Sequence, residues 1–389
     1  MAERPLVIDD EDRYSRLRLI AWWDQEKLTQ SHVMVVGAGA LGNEVLKNLA
    51  LMGVGRITIV DFDTIEESNL SRSVLFRHSD RGRPKVEVAA EFLTRLNPDC
   101  RVISEHANII TDIGLGRFRD VDVVIGCLDN REARLWVNRC CWKTTTPWID
   151  GGIQEINGVV KVFVPPDSAC YECAMTENDY RLINLRYSCP LLRQEDLIAG
   201  KVPTSPTISS IIGGMQVQEA LKLIHGLPVK SGAACVFNGV TNQFYQTAFQ
   251  RRDNCLSHET LESVVESDLS NRDRLSDLLD LGRAELGEPV QLRLERELVV
   301  DVYCRTCETR RPIMRPRNIV SVAEAVCSQC GETAKPSIVH ALDQASGFLD
   351  EQLISLGIPA NDIVQLEGPQ GIMNVLLSGP SDGKSISRC

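Results

Sequence analysis

The fold is decided by residues 32–63, which read HVMVVGAGALGNEVLKNLALMGVGRITIVDFD. A short valine-rich run comes first, and the glycine-rich GAGALG follows it directly. The next residues have the spacing of a helix. RITIV is then a second apolar run, and it ends in the carboxylates of Asp61 and Asp63. Strand, glycine turn, helix and strand in this order predict one unit of a parallel α/β sheet.

The alternation of strands and helices continues after this unit. KVEVAAEFLTRL at 85–96 predicts a helix, and RVISEHAN at 101–108 predicts a strand. VDVVIGCLDN at 121–130 reads as a buried parallel strand with polar groups at its end. We therefore predict an α/β fold with a Rossmann-like, mainly parallel sheet that helices cover on both faces.

Shifts in composition predict the domain boundaries. The first domain spans residues 1–258 and contains a long polar loop at about 174–206. Residues 259–295 are charged and helix-prone, so we interpret them as a connector. Residues 296–379 would form a smaller accessory module, which includes a helix over ASGFLDEQLISL, and residues 380–389 a disordered tail.

The overall composition excludes several classes of partner. The net charge of the 389 residues is −11, which argues against nucleic acid or an anionic membrane as the main partner. No apolar run approaches the roughly 18 residues of a membrane span, and no secretory signal is visible. We predict a cytoplasmic protein, in which paired cysteines are first candidates for metal ligands.

The glycines of GAGALG predict a nucleotide site. Gly37, Gly39 and Gly42 would let the backbone approach a phosphate closely at a helix N-terminus. Asp61 follows about 20 residues later, where a carboxylate can bond a ribose hydroxyl. On these residues alone, a dinucleotide-binding dehydrogenase is an equally good interpretation.

Further along the chain, the polar residues distinguish between these two interpretations. Asn69, Arg72 and Lys85 follow the second strand, and a later strand ends with Asp129 and Asn130. Cations neutralise the charge that builds up when a phosphate group is transferred, and a carboxylate can hold Mg²⁺ against it. Hydride transfer needs no such set. The set therefore favours phosphoryl or adenylyl transfer with Mg²⁺ over hydride transfer.

The order of GAGALG, VDFD, SNLSR, GRPK and CLDN closely resembles the ubiquitin-activating-enzyme superfamily. This superfamily includes the bacterial adenylyltransferases that act on the sulfur carriers of molybdopterin synthase and of the thiamine pathway. The resemblance covers about residues 10–258. It implies ATP-dependent adenylation of the C-terminal carboxylate of a ubiquitin-like or sulfur-carrier protein, by a homodimer or pseudo-dimer.

The resemblance also assigns roles to residues. It places the nucleotide against Gly37, Gly39, Ala40, Gly42, Asp61, Asp63, Asn69, Arg72, Lys85, Asp129 and Asn130. Asp61 would bind the ribose, Asn69, Arg72 and Lys85 the phosphates, and Asp129 the Mg²⁺, while Gly39 and Ala40 would lie against the adenylate.

An N-terminal arginine of the partner subunit completes the ATP site in the resembling family. Arg16 in RYSR is the matching residue, and Arg13 is the alternative. Two positions depart from the pattern: Ala40 stands where many relatives have glycine, and Ser73 stands where many have glutamine.

Cys189, in LRYSCPLLR, is the candidate nucleophile. A reactive thiol needs a lowered pKa, and Arg186 and Arg193 are close in sequence. In the resembling family, the loop between the CxxC and the following helix carries the cysteine that receives the activated protein as a thioester or persulfide. Cys189 matches that location.

Two groups of residues have the spacing of zinc ligands. CYEC provides Cys170 and Cys173, and NCLSHE provides Cys255 and His258, where relatives often have a second CxxC. The second group is a zinc-ribbon pattern in the accessory module and consists of Cys304, Cys307, Cys327 and Cys330.

Three functions remain open at this point. The leading hypothesis is adenylation of a ubiquitin-like protein, thioester formation on Cys189 and transfer to a conjugating partner. The alternative is a sulfur-carrier adenylyltransferase for molybdopterin or thiamine synthesis. A non-catalytic nucleotide-binding scaffold is the third, and the presence of Arg72, Lys85 and Asp129 together argues against it.

Overall fold

A computed structural model describes residues 12–184 and 203–380. Cys189 and most of the predicted tail lie outside these residues. The chain divides into two compact units. Among the described residues, the first unit comprises 12–109, 118–174 and 203–259, and the second comprises 110–117, 175–184 and 260–380. No helix in the described part of the chain is both long and apolar enough to cross a membrane.

The described strands are β1 His32–Val36, β2 Arg56–Val60, β3 Arg101–Glu105, β4 Val123–Gly126, β5 Trp148–Gln154, β6 Asn157–Phe163, β7 Ala233–Asn238, β8 Gln243–Ala248, β9 Val264–Ser267, β10 Gln291–Tyr303, β11 Arg310–Pro316, β12 Lys335–Leu342, β13 Ile363–Gly368 and β14 Gly371–Leu377. The described α-helices are α1 Gln25–Gln30, α2 Ala40–Met52, α3 Lys85–Leu96, α4 Leu115–Arg119, α5 Arg131–Lys143, α6 Glu177–Asn184, α7 Pro206–His225 and α8 Leu275–Leu286.

The first unit is built on an eight-stranded sheet in the order β3-β2-β1-β4-β5-β6-β7-β8. In this order, neighbouring strands pair in parallel from β3 through β2, β1 and β4 to β5, and they pair antiparallel from β5 to β8. Val36 at the end of β1 pairs with Val60 of β2 and with Gly126 of β4. The carboxyl ends of these three strands therefore meet at one edge, where open α/β sheets bind their ligands. The predicted α/β fold with a mainly parallel sheet is confirmed.

The core of the first unit explains why its central strands are continuously apolar. In β1, β2 and β4 the side chains are buried on both sides of the sheet, as expected when helices cover both faces. The helices α2 and α7 pack against each other at Gly213, where a side chain would press on Glu44.

The second unit has a six-stranded sheet in the order β11-β10-β13-β14-β9, and β12 also pairs with β10. The predicted connector at 259–295 contributes β9, α8 and the start of β10 to this unit. The leucines of α8 pack into the core of this unit: Leu275, Leu278 and Leu279 are fully buried or nearly so.

Residues 110–117 belong to the second unit although they lie between β3 and β4 in the sequence. Arg296 is buried and donates hydrogen bonds to the carbonyl oxygens of Ile110 and Ile113, and it pairs with Asp362 at 3.0 Å. A buried charge needs such partners, so this arginine fixes the segment within the unit.

The predicted helix over ASGFLDEQLISL does not form. The chain makes turns there, followed by a short 3₁₀-helix at Leu353–Leu356. Ser346 accepts a hydrogen bond from the backbone N–H of Asp343, and Gly347 has a φ of +75°. Such local side-chain bonds compete with a helix, and the positive φ interrupts it.

Candidate functional site

The glycine turn between β1 and α2 requires two of its three glycines for close packing. Gly37 has a φ of +99°, and a Cβ added there would lie under 3.0 Å from the carbonyl oxygen of Cys127. A Cβ at Gly42 would overlap the carbonyl oxygen of Gly37. A Cβ at Gly39 would meet nothing within 4 Å. The turn is thus packed on one side and open on the side that Gly39 faces.

This open side coincides with the start of α2. Gly39 is the N-cap residue, so no side chain caps the first N–H groups of the helix. Uncapped N–H groups and the helix dipole together favour an anion at this position. The structure therefore offers space and donors for a phosphate or an adenylate beside Gly39 and Ala40.

Asp61 is fixed beside the turn by two backbone amides. One carboxylate oxygen accepts from Ala38 at 2.6 Å, and the other accepts from Asp63 at 2.8 Å. Burial raises the pKa of Asp61, while the nearby Lys85 and the two amides act in the opposite direction. The carboxylate lies at the end of β2, next to the open side of the turn.

Lys85 is brought to the same place by the start of α3. Its side chain is largely buried, and Nζ lies 2.7 Å from Oδ2 of Asp63. The backbone N–H of Lys85 also donates to the carbonyl oxygen of Asp63 at 3.0 Å. A buried ammonium next to the glycine turn is suited to neutralising phosphate charge.

Asn69 and Arg72 lie in the segment that follows β2. Oδ1 of Asn69 accepts from the N–H of Glu66 at 2.9 Å and caps a 3₁₀-helix at Glu67–Asn69. Arg72 is half-buried and donates to the carbonyl oxygen of Ser68 at 3.1 Å. The hydroxyl of Ser73, the next residue, is buried and has no hydrogen-bond partner among the described residues.

Asp129 and Asn130 follow β4 at the same edge of the sheet. Oδ1 of Asn130 accepts from Ala133 at 2.8 Å and caps α5, while its Nδ2 lies 3.3 Å from Oδ1 of Asp129. Asp129 itself is exposed. The structure therefore gives Asn130 a capping role and leaves the carboxylate of Asp129 accessible.

Arg134 is a positioning residue that sequence reasoning missed. This largely buried side chain donates to the carbonyl oxygens of Leu128 and Gly151 and to Oδ1 of Asp150 at 2.9 Å. It thereby ties the loop that carries Asp129 to the middle of β5. Its spacing from Asp129 matched no motif, since Asp150 and Gly151, which hold it in place, lie on β5.

Arg16 and Arg13 are not joined to the nucleotide residues of their own chain. Arg16 is exposed and makes no ion pair with any residue in the described ranges. Arg13 donates to the carbonyl oxygen of Leu96 at 3.3 Å. An arm that acts on a second subunit is compatible with this exposure.

The first metal-ligand group is assembled in the first unit. The Sγ atom of Cys170 lies 3.5 Å from Sγ of Cys255 and 3.7 Å from Sγ of Cys173, and His258 Nε2 lies 3.4 Å from Sγ of Cys173. All four ligand atoms lie within 4.8 Å of one another. Thiolates around tetrahedral zinc are about 3.8 Å apart for Zn–S bonds of about 2.3 Å, so the group fits zinc. The ring of Trp142 stacks on His258 and limits its orientation.

The second group is assembled in the second unit by two short turns. Its members are Cys304, Cys307, Cys327 and Cys330, and their sulfur atoms also lie within 4.8 Å of one another. In the first turn, the N–H of Cys304 donates a hydrogen bond to the carbonyl oxygen of Thr309. In the second turn, the N–H of Cys327 donates to the carbonyl oxygen of Glu332. Four sulfur atoms leave no open position for a substrate, so this donor set fits a structural zinc.

Comparisons with known proteins agree with this geometry. Residues 12–257 match the ThiF family. The sulfur carrier protein ThiS adenylyltransferase of Escherichia coli (strain K12) is 32% identical over 254 residues, which cover 64% of this chain and 96% of that protein. The ubiquitin-like modifier-activating enzyme 5 of Dictyostelium discoideum is 30% identical over 233 residues, or 55% of this chain and 59% of that protein.

A solved structure extends the comparison to the fold. The crystal structure of E. coli MccB with ATP matches with a TM-score of 0.54 and 26% identity, over 64% of this chain and 74% of that chain. The second unit lies largely beyond residues 12–257.

Proposed function

The chain belongs to the ThiF family, and from this premise we propose that it uses ATP to adenylate the C-terminal carboxylate of a ubiquitin-like or sulfur-carrier protein. The relatives include one named for a sulfur carrier and one named for a ubiquitin-like modifier. The crystal structure of MccB with ATP supports the choice of nucleotide.

One observation carries the proposal. Asp61, Lys85 and Asp129 come from three separate segments, and the strand order brings their segments together at the carboxyl ends of β1, β2 and β4. Beside them, the turn at Gly39 is open and the start of α2 is uncapped. This arrangement matches an ATP with its ribose at Asp61 and its phosphates towards Lys85.

The reaction would proceed by attack of a carboxylate oxygen on the α-phosphorus. The bond from that phosphorus to the bridging oxygen breaks, and pyrophosphate leaves with the electron pair. Lys85 and Arg72 would offset the negative charge that develops on the phosphates. Asp129 would hold Mg²⁺, which supplies further charge neutralisation when bound.

We propose that Cys189 then takes the acyl group as a thioester and releases AMP, before transfer to a conjugating partner. Its sequence position supports this step, and it lies outside the described residues. The alternative is that the adenylate passes to a sulfur donor, as the similarity to the ThiS adenylyltransferase suggests. The proposal also includes a homodimer in which Arg16 reaches the ATP of the partner subunit, and zinc at both ligand groups.

ATP–pyrophosphate exchange tests the proposal. The purified chain should exchange labelled pyrophosphate into ATP only when a sulfur-carrier or ubiquitin-like protein with a free C-terminus is added. Asp129→Asn should lower the exchange rate by about 10²–10³-fold, as expected when one main charge-stabilising group is lost. Asp167→Asn is the matched control, because Asp167 is an exposed carboxylate in the loop after β6. Binding of ATP without exchange, across a panel of both partner classes, would favour the scaffold function instead.

A further inference from the structure

Asn43 connects two parts of the candidate ATP site through the hydrogen bonds of one side chain. It lies on α2, one residue after Gly42, and its side chain is completely buried. Oδ1 accepts from the backbone N–H of Leu75 at 2.8 Å. Nδ2 donates to the carbonyl oxygens of Ala38 at 2.8 Å and Gly39 at 3.0 Å. One amide thus bonds the glycine turn on one side and the segment after Arg72 on the other.

The two sets of bonds have different consequences. Those to Ala38 and Gly39 are local and stabilise the turn itself. The bond to Leu75 spans 32 residues of sequence and fixes a second segment against the turn. Leu75 is almost fully buried, so its N–H has no water to replace the lost acceptor.

Arg72 lies between two fixed points of this second segment. On its N-terminal side, the N–H of Arg72 donates to the carbonyl oxygen of Asn69 at 3.1 Å. On its C-terminal side, Leu75 is held by Asn43. The side chain is half-buried, and its guanidinium donates to the carbonyl oxygen of Ser68 at 3.1 Å, so its position depends on the backbone of this segment.

We propose that Asn43 is a positioning residue that sets the distance between the glycine turn and Arg72, and that it thereby favours ATP over adenosine. This inference rests on the proposed function, in which Asp61 and the turn bind the adenosine and Arg72 meets the phosphates. Loss of the Leu75 bond would displace Arg72 relative to the turn. A ligand with phosphates would lose affinity, and one without them would not.

The experiment compares the dissociation constants of ATP and adenosine by calorimetry on the full chain. For Asn43→Ala we expect the dissociation constant of ATP to rise about tenfold or more, since small misplacements of a charge-stabilising group are costly. The dissociation constant of adenosine should rise clearly less than that of ATP, because the turn that would bind adenosine loses only its two local bonds to Asn43.

A second variant covers the case in which Asn43→Ala does not fold. Asn43→Ser retains a hydroxyl that can bond the carbonyl of Gly39 one helical turn earlier, but it is too short to reach Leu75. It should show the same split between ATP and adenosine, with a smaller loss of melting temperature.

Asn97→Ala is the matched control. Asn97 is equally buried, and its Nδ2 also makes two hydrogen bonds, to Tyr14 and Ala50. Its Oδ1 likewise accepts from a backbone N–H, that of Asp99. This variant should lose stability and keep both dissociation constants.

Each remaining outcome has a distinct meaning. Equal losses for ATP and adenosine in Asn43→Ser, or none, would overturn the positioning role while the proposed function stands. A wild-type chain that binds adenosine and ATP equally would overturn the assignment of Arg72 to the phosphates, and the positioning role with it. A wild-type chain that binds neither ligand would overturn the proposed function itself.

Discussion

Alanine at Gly37 should destabilise the first unit, and the structure sets the size of the effect. The φ of +99° places this residue where a side chain costs about 1–2 kcal/mol. The new methyl group would also lie under 3.0 Å from the carbonyl oxygen of Cys127. That oxygen cannot easily move, because the N–H of Cys127 is bonded to Val36 of β1 at 2.8 Å. With overpacking added, we expect a loss of about 3 kcal/mol.

Gly39→Ala is the matched substitution in the same turn. Gly39 has a φ of −73°, which alanine adopts without strain, and its Cβ would meet nothing within 4 Å. Alanine is a weaker N-cap than glycine, so the cost should stay below about 1 kcal/mol. The methyl group would, however, occupy the open side of the turn. If the adenylate lies there, ATP should bind more weakly although the protein remains stable.

Thermal unfolding and ATP titration separate the two effects. For a unit of this size, 3 kcal/mol corresponds to a fall in Tm of roughly 6–12 °C, at about 2–4 °C per kcal/mol. Gly37→Ala should show that fall, whereas Gly39→Ala should melt close to wild type and bind ATP less tightly. If Gly37→Ala melts within about 2 °C of wild type, the packing argument for the turn is wrong. If Gly39→Ala binds ATP normally, the adenylate does not lie on the open side.

Three further predictions test the remaining parts of the site. Elemental analysis should find two zinc ions per chain. Cys304→Ser should remove one of them and destabilise the second unit, while pyrophosphate exchange stays largely intact. The control Cys235→Ser, which lies outside both ligand groups, should remove no zinc. Mixing Arg16→Ala chains with Asp129→Asn chains should restore exchange at one composite site per dimer, and Arg13→Ala serves as the control. If verified mixed dimers do not recover exchange, Arg16 does not act across subunits. Cys189→Ala should keep pyrophosphate exchange and lose the reductant-sensitive adduct with the partner protein; an adduct that persists would identify another cysteine as the acceptor.

The sequence predicted the features that depend on short-range spacing. GAGALG and the carboxylate of Asp61 lie within one strand–turn–helix–strand unit, so the residues that form the turn are close in sequence as well as in space. Each CxxC pair is likewise a local turn. For these features the pattern of side chains was sufficient.

The sequence did not predict two polar side chains whose hydrogen-bond partners are distant. Asn43 bonds Leu75 across 32 positions, and Arg134 of α5 bonds Asp150 of β5 across 16 positions. Buried asparagine and arginine have no periodic pattern, so nothing in the sequence marked them. The helical periodicity of residues 345–356 was misleading for a related reason: hydrogen bonds of Ser346 favoured turns over a helix.

The segment that carries Asp129 follows β4 beside the glycine turn, and its position shows how much of the site the sequence could predict. CLDN indicated only that a strand ends in polar groups; it did not indicate which strand lies beside β1. Because β4 and β2 both pair with β1 in parallel, their carboxyl ends are adjacent, and residues 37, 61 and 127 become neighbours. The position of each functional group along its strand was therefore readable from the sequence, while the proximity of the groups depends on strand order. Arg134 then fixes the loop of Asp129 to β5, the next strand. A change at Arg134 should accordingly disturb the Mg²⁺ requirement of exchange more than the affinity for adenosine, which the turn and Asp61 would bind on the other side of β1.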